Sequence, residues 1–187
     1  MKTIKNESLE DIEENTTYTY CAFYLNEKKQ YSAKNCKFID CSFRSNIALD
    51  NIENCTFTNC GFSSNFEIFL HELTEFPKNI LQFRSLTYLC STNNEFTEIP
   101  KEISQLQNLT ELYLSGNKLT EIPKEIGQLQ NLTYLNLDWN RLTELPKEIG
   151  QLQNLTKISF YDYHFLKRPF RKELQEWLPN CQIRCIK

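Results

Sequence analysis

The sequence repeats itself with a strict period of 23 residues across its second half. Successive copies open at Leu86, Leu109, Leu132 and Leu155. A fixed period of about 20–29 residues with the pattern L-x-x-L-x-L-x-x-N-x-L indicates a solenoid. Each copy adds one short strand to an open, curved parallel sheet, and such sheets serve as extended binding surfaces. The predicted fold class is therefore α/β, with the strands stacked side by side along the solenoid axis.

The amino-acid sequence of the repeats is more specific than this general pattern. The segments EIPKEIGQLQNLTYLNLDWNRLTELPKEI and LQEWLPNCQI resemble the leptospiral leucine-rich-repeat protein family, over about residues 76–187. The resemblance implies a short, right-handed bacterial leucine-rich-repeat solenoid with a parallel β-sheet. It also implies binding to a host or other partner protein, without an enzymatic domain.

Changes in composition divide the chain into four predicted segments. A polar, acidic and only partly ordered leader is followed by β-helix-like coils that cap the repeats, by the repeats themselves, and by a helical C-terminal cap. These segments cover residues 1–17, 18–62, 63–162 and 163–187. The cap helix is expected in RPFRKELQEWLPN, because its apolar residues follow a helical spacing and bury one face: Phe170, Leu174, Trp177 and Leu178.

Each repeat is expected to contain a strand, a tight turn and a convex return segment. The strands are predicted near residues 65–69, 87–91, 110–114, 133–137 and 156–160. A return segment such as PKEIGQLQN has the apolar spacing of one short helical turn. Asn94, Asn117 and Asn140 end their strands and should cap backbone groups, because an orphaned buried amide costs about 1–3 kcal/mol. In the degenerate first copy, the same step of 23 aligns Phe66 with Leu89.

The N-terminal coils follow a different repeat, made of C-x-F units. The step is five within a pair of units and 19 or 20 between coils, and the units are Cys21/Phe23, Cys36/Phe38, Cys41/Phe43, Cys55/Phe57 and Cys60/Phe62. The pattern resembles the pentapeptide-repeat β-helix, in which a large apolar residue and a small residue two before it point inward. A phenylalanine ladder beside a cysteine ladder is therefore expected to fill a narrow interior.

The eight cysteines allow three interpretations. The favoured one is a ladder of free thiols, which pack as small apolar side chains. Cys36-x4-Cys41 and Cys55-x4-Cys60 also look like paired zinc ligands, although structural zinc sites mostly use C-x2-C pairs. Disulfides are the third interpretation. A structural or zinc-binding protein is thus the alternative function, while no metal ligand and no cofactor are assigned.

The residue inventory argues against an enzyme. No P-loop, dinucleotide-binding or nucleophile-elbow motif occurs, and the chain has four glycines and two histidines, His71 and His164. The string HELTE lacks the second histidine of a zinc-protease motif, because Glu75 stands in its place. No catalytic residue is therefore assigned.

Charge and hydropathy limit the partners and the compartment. A net charge of −3 and a pI near 5.5 give no electrostatic reason to expect nucleic acid as a partner. No apolar run of about 18 residues predicts a membrane span. Residues 1–17 lack the apolar core of a secretory signal, so a cytoplasmic location is expected, and secretion without a signal stays open. The sequence leaves the partner's identity and the oligomeric state open.

The outward positions of the repeats carry the functional hypothesis. Core positions keep the same residue from copy to copy, whereas these vary and concentrate Tyr, Trp and Arg, which are enriched at interaction hot spots. Neighbouring strands lie about 4.8 Å apart, so the side chains form one patch. We call this patch the concave face. It is predicted to bind a protein partner, with host proteins as candidates, through Tyr88, Glu111, Tyr113, Tyr134, Asn136, Asp138, Trp139, Arg141, Lys157 and Tyr161.

Overall fold

A computed structural model describes residues 2–24, 31–43, 47–53, 55–58, 60–62, 66–69, 73–161 and 168–186. Within these ranges the chain forms a solenoid of short parallel strands. The strands before the regular repeats are β1 Lys2–Lys5, β2 Ser8–Leu9, β3 Thr16–Thr19, β4 Ala22–Phe23, β5 Tyr31–Lys34, β6 Lys37–Ile39, β7 Ser42–Phe43, β8 Ile47–Glu53, β9 Thr56–Thr58, β10 Gly61–Phe62 and β11 Phe66–Phe69. The strands that follow are β12 Tyr88–Cys90, β13 Glu111–Tyr113, β14 Tyr134–Asn136, β15 Lys157–Tyr161 and β16 Gln182–Ile186.

The strands lie in three sheets. One has the order β1-β3-β6-β9 and a second has the order β10-β7-β4-β2. The third runs from β5 and β8 through β11 into the regular repeats and ends at β16. This third sheet joins the N-terminal coils to the 23-residue repeats. The buried apolar residues likewise form one cluster, from Ile4 to Ile183.

Stacked aromatic rings fill the interior of the N-terminal coils. The ring of Phe38 stacks between those of Tyr18 and Phe57, with centroid distances of 5.1 and 4.5 Å. Phe23 stacks on Phe43 at 4.6 Å. These five rings come from equivalent strand positions of successive coils, so their contacts repeat the backbone register. The predicted phenylalanine ladder is present here, and the side chain of Phe62 lies outside the described residues.

A second ladder, of thiols, lies beside the rings. Cys36 and Cys55 are buried, and the Cys36 backbone N–H donates to the Cys55 sulfur at 3.4 Å. Cys21 and Cys41 are also buried, whereas Cys60 is partly exposed. The seven cysteines whose side chains are described are free thiols. A hydrogen bond from the Cys60 thiol lowers the pKa of Cys41 to about 6, although burial opposes this shift, and the same contact raises the pKa of Cys60.

Residues 2–17, predicted as part of a partly ordered leader over 1–17, form a first coil. Strand β1 pairs with β3 in register from Lys2↔Thr16 onward, and β2 pairs with β4. Ile4 and Ile12 are buried in the core cluster, which Leu9 also contacts. The prediction was wrong because it looked for Phe and Cys at the inward positions. Smaller aliphatic side chains occupy them in this coil.

The regular repeats have the predicted strand positions. Strands β12 to β15 pair in register at a step of 23, as in Tyr88↔Glu111 and Glu111↔Tyr134. Leu89, Leu112 and Leu135 lie side by side beneath the sheet and are fully buried. The return segments are 3-10 helices that each begin after a proline: Lys78–Gln82, Lys101–Gln105, Lys124–Gln128 and Lys147–Gln151.

The degenerate first copy departs from the predicted alignment. Ile68, and not Phe66, stands opposite Leu89, so the step from β11 to β12 is 21 residues. Strand β11 also pairs with β8, where Phe66 stands opposite Ile47 at a step of 19. The strand thus joins two repeat lengths. A fixed step of 23 could not anticipate this adjustment.

A ladder of asparagines closes the turns after the strands. The Oδ1 atoms of Asn94, Asn117 and Asn140 accept hydrogen bonds from backbone N–H groups of the preceding repeat, at 2.8, 3.2 and 3.2 Å. Asn117 Nδ2 donates to the carbonyls of Ser91 and Leu114, at 2.8 and 3.0 Å. These amides satisfy backbone groups that would otherwise be orphaned in the turns.

An α-helix, α1 (Arg168–Trp177), covers the last repeat. Leu174 and Leu178 are buried, and Trp177 packs against the core. The backbone of Gly150 lies so close to Trp177 that a Cβ there would stand 3.2 Å from the tryptophan Cβ. The side chain of Phe170, predicted in the same stripe, lies outside the described residues. Among the described residues, no helix is both long and apolar enough to cross a membrane.

Candidate partner-binding surface

Two rows of side chains cross the outer side of the third sheet. The first row consists of Tyr88, Glu111, Tyr134 and Lys157, which are register partners on adjacent strands. The second row lies two residues further along each strand and consists of Cys90, Tyr113, Asn136 and Ser159. Because alternate residues of a strand point to the same face, both rows belong to the concave face.

Three tyrosines form a continuous line across these rows. The Tyr113 ring lies 5.1 Å from that of Tyr88 and 4.9 Å from that of Tyr134, the latter edge-to-face. The Tyr113 hydroxyl donates to Glu111 Oε2 at 2.7 Å. Burial, and then this hydrogen bond, raises the pKa of Tyr113 above its usual range. Lys157 extends the line, since its Nζ lies 4.8 Å from the Tyr134 ring centroid. These contacts hold the side chains in a defined arrangement before any partner binds.

A polar network lies beside this line. Ser159 Oγ donates to Asp138 Oδ2 at 3.1 Å and lies 3.4 Å from the Tyr134 hydroxyl. The Asp138 backbone N–H donates to Asn136 Oδ1 at 3.0 Å. The second carboxylate oxygen, Asp138 Oδ1, is buried without a hydrogen-bond partner. Asn136 and Asp138 therefore shape the turn from inside, and Ser159, although it lies in the second row, is buried beneath them.

The charge of Asp138 is held in an unfavourable environment. Burial raises the pKa of its carboxyl group, while the Ser159 hydrogen bond and the charges of Arg184 and Lys157 act in the opposite direction. The orphaned oxygen and the raised pKa have the same cause, which is loss of solvent around a group with too few donors. The Asp138 carboxylate therefore lowers the stability of the turn in which it lies.

Trp139 stands in a backbone conformation that its side chain does not favour. Its φ angle is 57°, and the equivalent residues of the two preceding repeats, Asn93 and Gly116, have φ angles of 56° and 69°. Asn and Gly adopt this left-handed conformation readily, whereas a bulky residue does so at a cost. Nevertheless the Trp139 side chain is not buried: the residue is 59% exposed. Its ring lies over Tyr161, with a centroid distance of 3.8 Å.

A cleft opens beside this tryptophan, and we call it the Trp139 cleft. It has a volume of about 380 Å³, and its walls include Gly116, Lys118, Trp139, Arg141 and Tyr161. Arg141 is exposed, and Lys118 forms an ion pair with Glu95 at 3.0 Å. The cleft therefore combines an aromatic wall with two cationic side chains.

The structure brings the predicted residues together in two connected groups. The sheet group consists of Tyr88, Glu111, Tyr113, Tyr134 and Lys157, and the turn group contains Trp139, Arg141 and Tyr161. Gly116 and Lys118 of the cleft were not assigned from the sequence. A left-handed backbone at this position could have been predicted, because the eighth residue of successive repeats is Asn93, Gly116 and Trp139.

The cysteine coils do not assemble a metal site among the residues that the structure describes. No cluster of three or more His, Cys, Asp or Glu side chains in those ranges could hold a metal ion. The thiols instead bond to neighbouring backbone carbonyls, as Cys55 does with Ala33 at 3.1 Å. The geometry of these coils is that of a packed interior.

Comparison with known proteins identifies the family of the repeats. The sequence profile of the family described as "Leucine-rich repeat region" matches residues 71–178, more than half of the chain. No curated protein matches the sequence significantly.

Three solved structures resemble the chain. A leucine-rich-repeat protein of Leptospira interrogans is 26% identical, with a TM-score of 0.59 over 89% of this chain and 54% of that one. An internalin of Listeria monocytogenes is 12% identical, with a TM-score of 0.54 over 92% of this chain and 62% of that one. The leucine-rich-repeat ectodomain of a membrane receptor kinase of Arabidopsis thaliana, in complex with Casparian strip integrity factor 2, is 20% identical, with a TM-score of 0.56 over 97% of this chain and 24% of that one. The chain thus covers less than two thirds of each, and the last two likenesses concern the fold alone.

Proposed function

Because the chain belongs to the leucine-rich-repeat family, we propose that it is a non-catalytic module that binds a protein partner through its concave face. The observation that carries the proposal is Trp139. A tryptophan that occupies a left-handed position and remains 59% exposed contributes little to folding. A tryptophan at this position is explained if the side chain contacts another molecule, since strained backbone recurs at functional sites.

The binding surface in this proposal extends from Tyr88 to the Trp139 cleft. The tyrosine line supplies large side chains that are already fixed by mutual contacts, so little side-chain entropy is lost on binding. Trp139 and Arg141 belong to the residue types that dominate interface energetics. Lys157 supplies a positive charge at one end of the line, and Glu111 a negative charge between Tyr88 and Tyr134. No step of this function requires a cofactor or a catalytic group.

The N-terminal coils serve as the cap of the repeat array in this proposal. An uncapped array exposes the apolar core of its first repeat. The coils continue the same sheet and the same core cluster, which supports this role. Their ring and thiol ladders support a relationship to the pentapeptide-repeat type of β-helix.

The proposal is tested with the full chain as bait in lysates of mammalian cells and of a leptospiral bacterium. We expect the host lysate to supply the partner, as the family resemblance implies. The affinity of the purified partner is then measured for the wild type and two variants. Trp139→Ala should weaken binding by at least about thirtyfold, equivalent to about 2 kcal/mol. Lys124→Glu, on the exposed 3-10 helix opposite the sheet, is the control and should change the affinity less than about twofold. The opposite ranking of the two variants would refute the concave-face hypothesis.

A further inference from the structure

The charges of the concave face are not evenly distributed. Glu111 lies towards the β12 end, whereas Lys157 and Arg184 lie on the last two strands of the sheet. Lys118 and Arg141 add two cations at the Trp139 cleft. The chain as a whole carries a net charge of −3, so this basic end contrasts with the molecule around it.

The described acidic residues near the cleft do not neutralise it. Asp138 turns its carboxylate inward to Ser159, and burial raises its pKa. Glu95 pairs with Lys118, but the two side chains are 59% and 40% exposed. An exposed ion pair of this kind is weak, and a ligand carboxylate can exchange with it. No carboxylate in the described ranges forms an ion pair with Arg141.

On the premise of the proposed function, we infer that the partner presents an acidic segment with an aromatic anchor residue, and that this segment binds in the Trp139 cleft. The anchor packs against the Trp139–Tyr161 pair, where aromatic contact adds to the burial of apolar area. The carboxylates of the segment pair with Arg141 and Lys118. Arg141 can hold a carboxylate through two parallel hydrogen bonds.

The same arrangement excludes basic segments. Lys118, Arg141, Lys157 and Arg184 would repel a lysine-rich chain, and like charges brought together at an interface suppress incorrect partners. The inference therefore predicts selection by charge sign and by aromatic content together.

The test uses two labelled random copolymers of matched length, one of glutamate and tyrosine and one of lysine and tyrosine, with polyglutamate as a third probe. Fluorescence anisotropy measures their binding to the full chain. The glutamate–tyrosine copolymer should bind at least about tenfold more tightly than either other probe. Binding should weaken as salt is raised, because exposed charges are screened.

Variants of equal charge change identify the site. Lys118→Glu combined with Arg141→Glu should weaken glutamate–tyrosine binding at least about tenfold. Lys101→Glu combined with Lys124→Glu, both on exposed 3-10 helices, should change it less than about twofold. Equal binding of the two tyrosine copolymers, or equal loss in both double variants, would overturn the inference. If the natural partner still depends on Trp139 while the acidic copolymer does not bind, the inference fails and the proposed function stands.

Discussion

The N-terminal coils and the 23-residue repeats build one core in two different ways. The coils are closed by three sheets, and their interior is filled by stacked rings such as Phe38 on Phe57. The repeats have one sheet and a return segment, with leucines such as Leu112 beneath and an asparagine ladder at the turns. Since both share the third sheet, the change of repeat length is accommodated at β11, without a break in strand pairing.

The difference supports placing the proposed binding surface in the second region. In the described coils, the larger exposed apolar side chains are Tyr20 and Tyr24, which stand near the coil corners. In the repeats, the outer side of the sheet carries residues that vary between copies, such as Tyr88, Glu111 and Lys157. The repeats can therefore vary outside while their interior stays constant. The following experiments test this division of labour, from the largest expected effect to the smallest.

The ring ladder should dominate the stability of the coils. Phe38 contacts the rings of Tyr18, Phe23, Phe43 and Phe57, so Phe38→Ala should lower the free energy of unfolding by about 3–5 kcal/mol. Urea denaturation followed by tryptophan fluorescence measures the effect. Both tryptophans of the chain lie in or after the repeats, so a shifted midpoint also shows that the two regions unfold together. Tyr24→Ala, at an exposed position, is the control, and an unmoved midpoint in Phe38→Ala would separate the regions.

In the repeats, the asparagine ladder should contribute to stability through its hydrogen bonds, as the ring ladder does in the coils through its packing. Asn117→Ala leaves the Phe96 N–H and the Ser91 carbonyl without this partner, and should cost about 2–3 kcal/mol. The Leu114 carbonyl loses one bond but still accepts from Asn140 Nδ2. Asn131→Ala removes one exposed amide bond, to the Gln107 carbonyl, and should cost less than about 1 kcal/mol. Equal losses in thermal denaturation of the two variants would mean that the ladder is not special.

A side chain added at Gly116, which has a left-handed backbone conformation, should lower the stability of the chain. Gly116 has a φ angle of 69°, and a Cβ there would meet Asn93, so Gly116→Ala should cost about 1–2 kcal/mol. Gly150→Ala is the matched glycine control, because its Cβ would make only tight contacts with Trp177, and it should cost less than about 1 kcal/mol. Urea midpoints of the two variants compare the costs, and a harmless Gly116→Ala would remove the argument for strain at Trp139.

The buried carboxylate should give the smallest effect and a dependence on pH. Because burial raises the pKa of Asp138, the folded chain holds the proton more tightly than the unfolded chain. Stability is therefore lost as pH rises from the pKa of Asp138 in the unfolded chain to its pKa in the folded chain. Above the folded pKa the full cost of the buried charge is present. The free energy of unfolding of Asp138→Asn should exceed that of the wild type by up to about 1 kcal/mol near neutral pH. This difference should shrink towards about pH 3.5. Urea denaturation at both pH values measures it, and an advantage independent of pH would contradict the assignment.

Periodicity made the strands of the regular repeats predictable. Strands β12 to β14 lie within their predicted ranges and β15 extends one residue beyond its range, because the pattern of buried leucines fixes both position and face. The first coil was not predictable in the same way, since Ile4 and Leu9 lack the C-x-F signature. The register of β11 depends on its contact with β8, which no local pattern records.

For the candidate surface, the sequence predicts which residues lie on the outer side of the sheet but not how their side chains contact one another. Alternation along strands assigns Tyr113 and Tyr134 to one face, but the edge-to-face contact between them depends on their rotamers. The hydrogen bond from Ser159 to Asp138 joins residues that are 21 positions apart in the sequence, and no local pattern predicts it. The strain at Trp139 was available from the sequence, because the residues before it in the same column are Asn93 and Gly116.

The central claim is that Trp139 serves binding and not folding, and a single variant measured in two ways tests it most directly. Trp139→Gly relieves the left-handed backbone, worth about 1–2 kcal/mol, and loses the contact with Tyr161, worth about 0.5–1.5 kcal/mol. The free energy of unfolding should therefore stay within about 1 kcal/mol of the wild type, while the affinity for the partner falls at least about thirtyfold. A variant that binds normally, or one that loses more than about 2 kcal/mol of stability, would contradict the account.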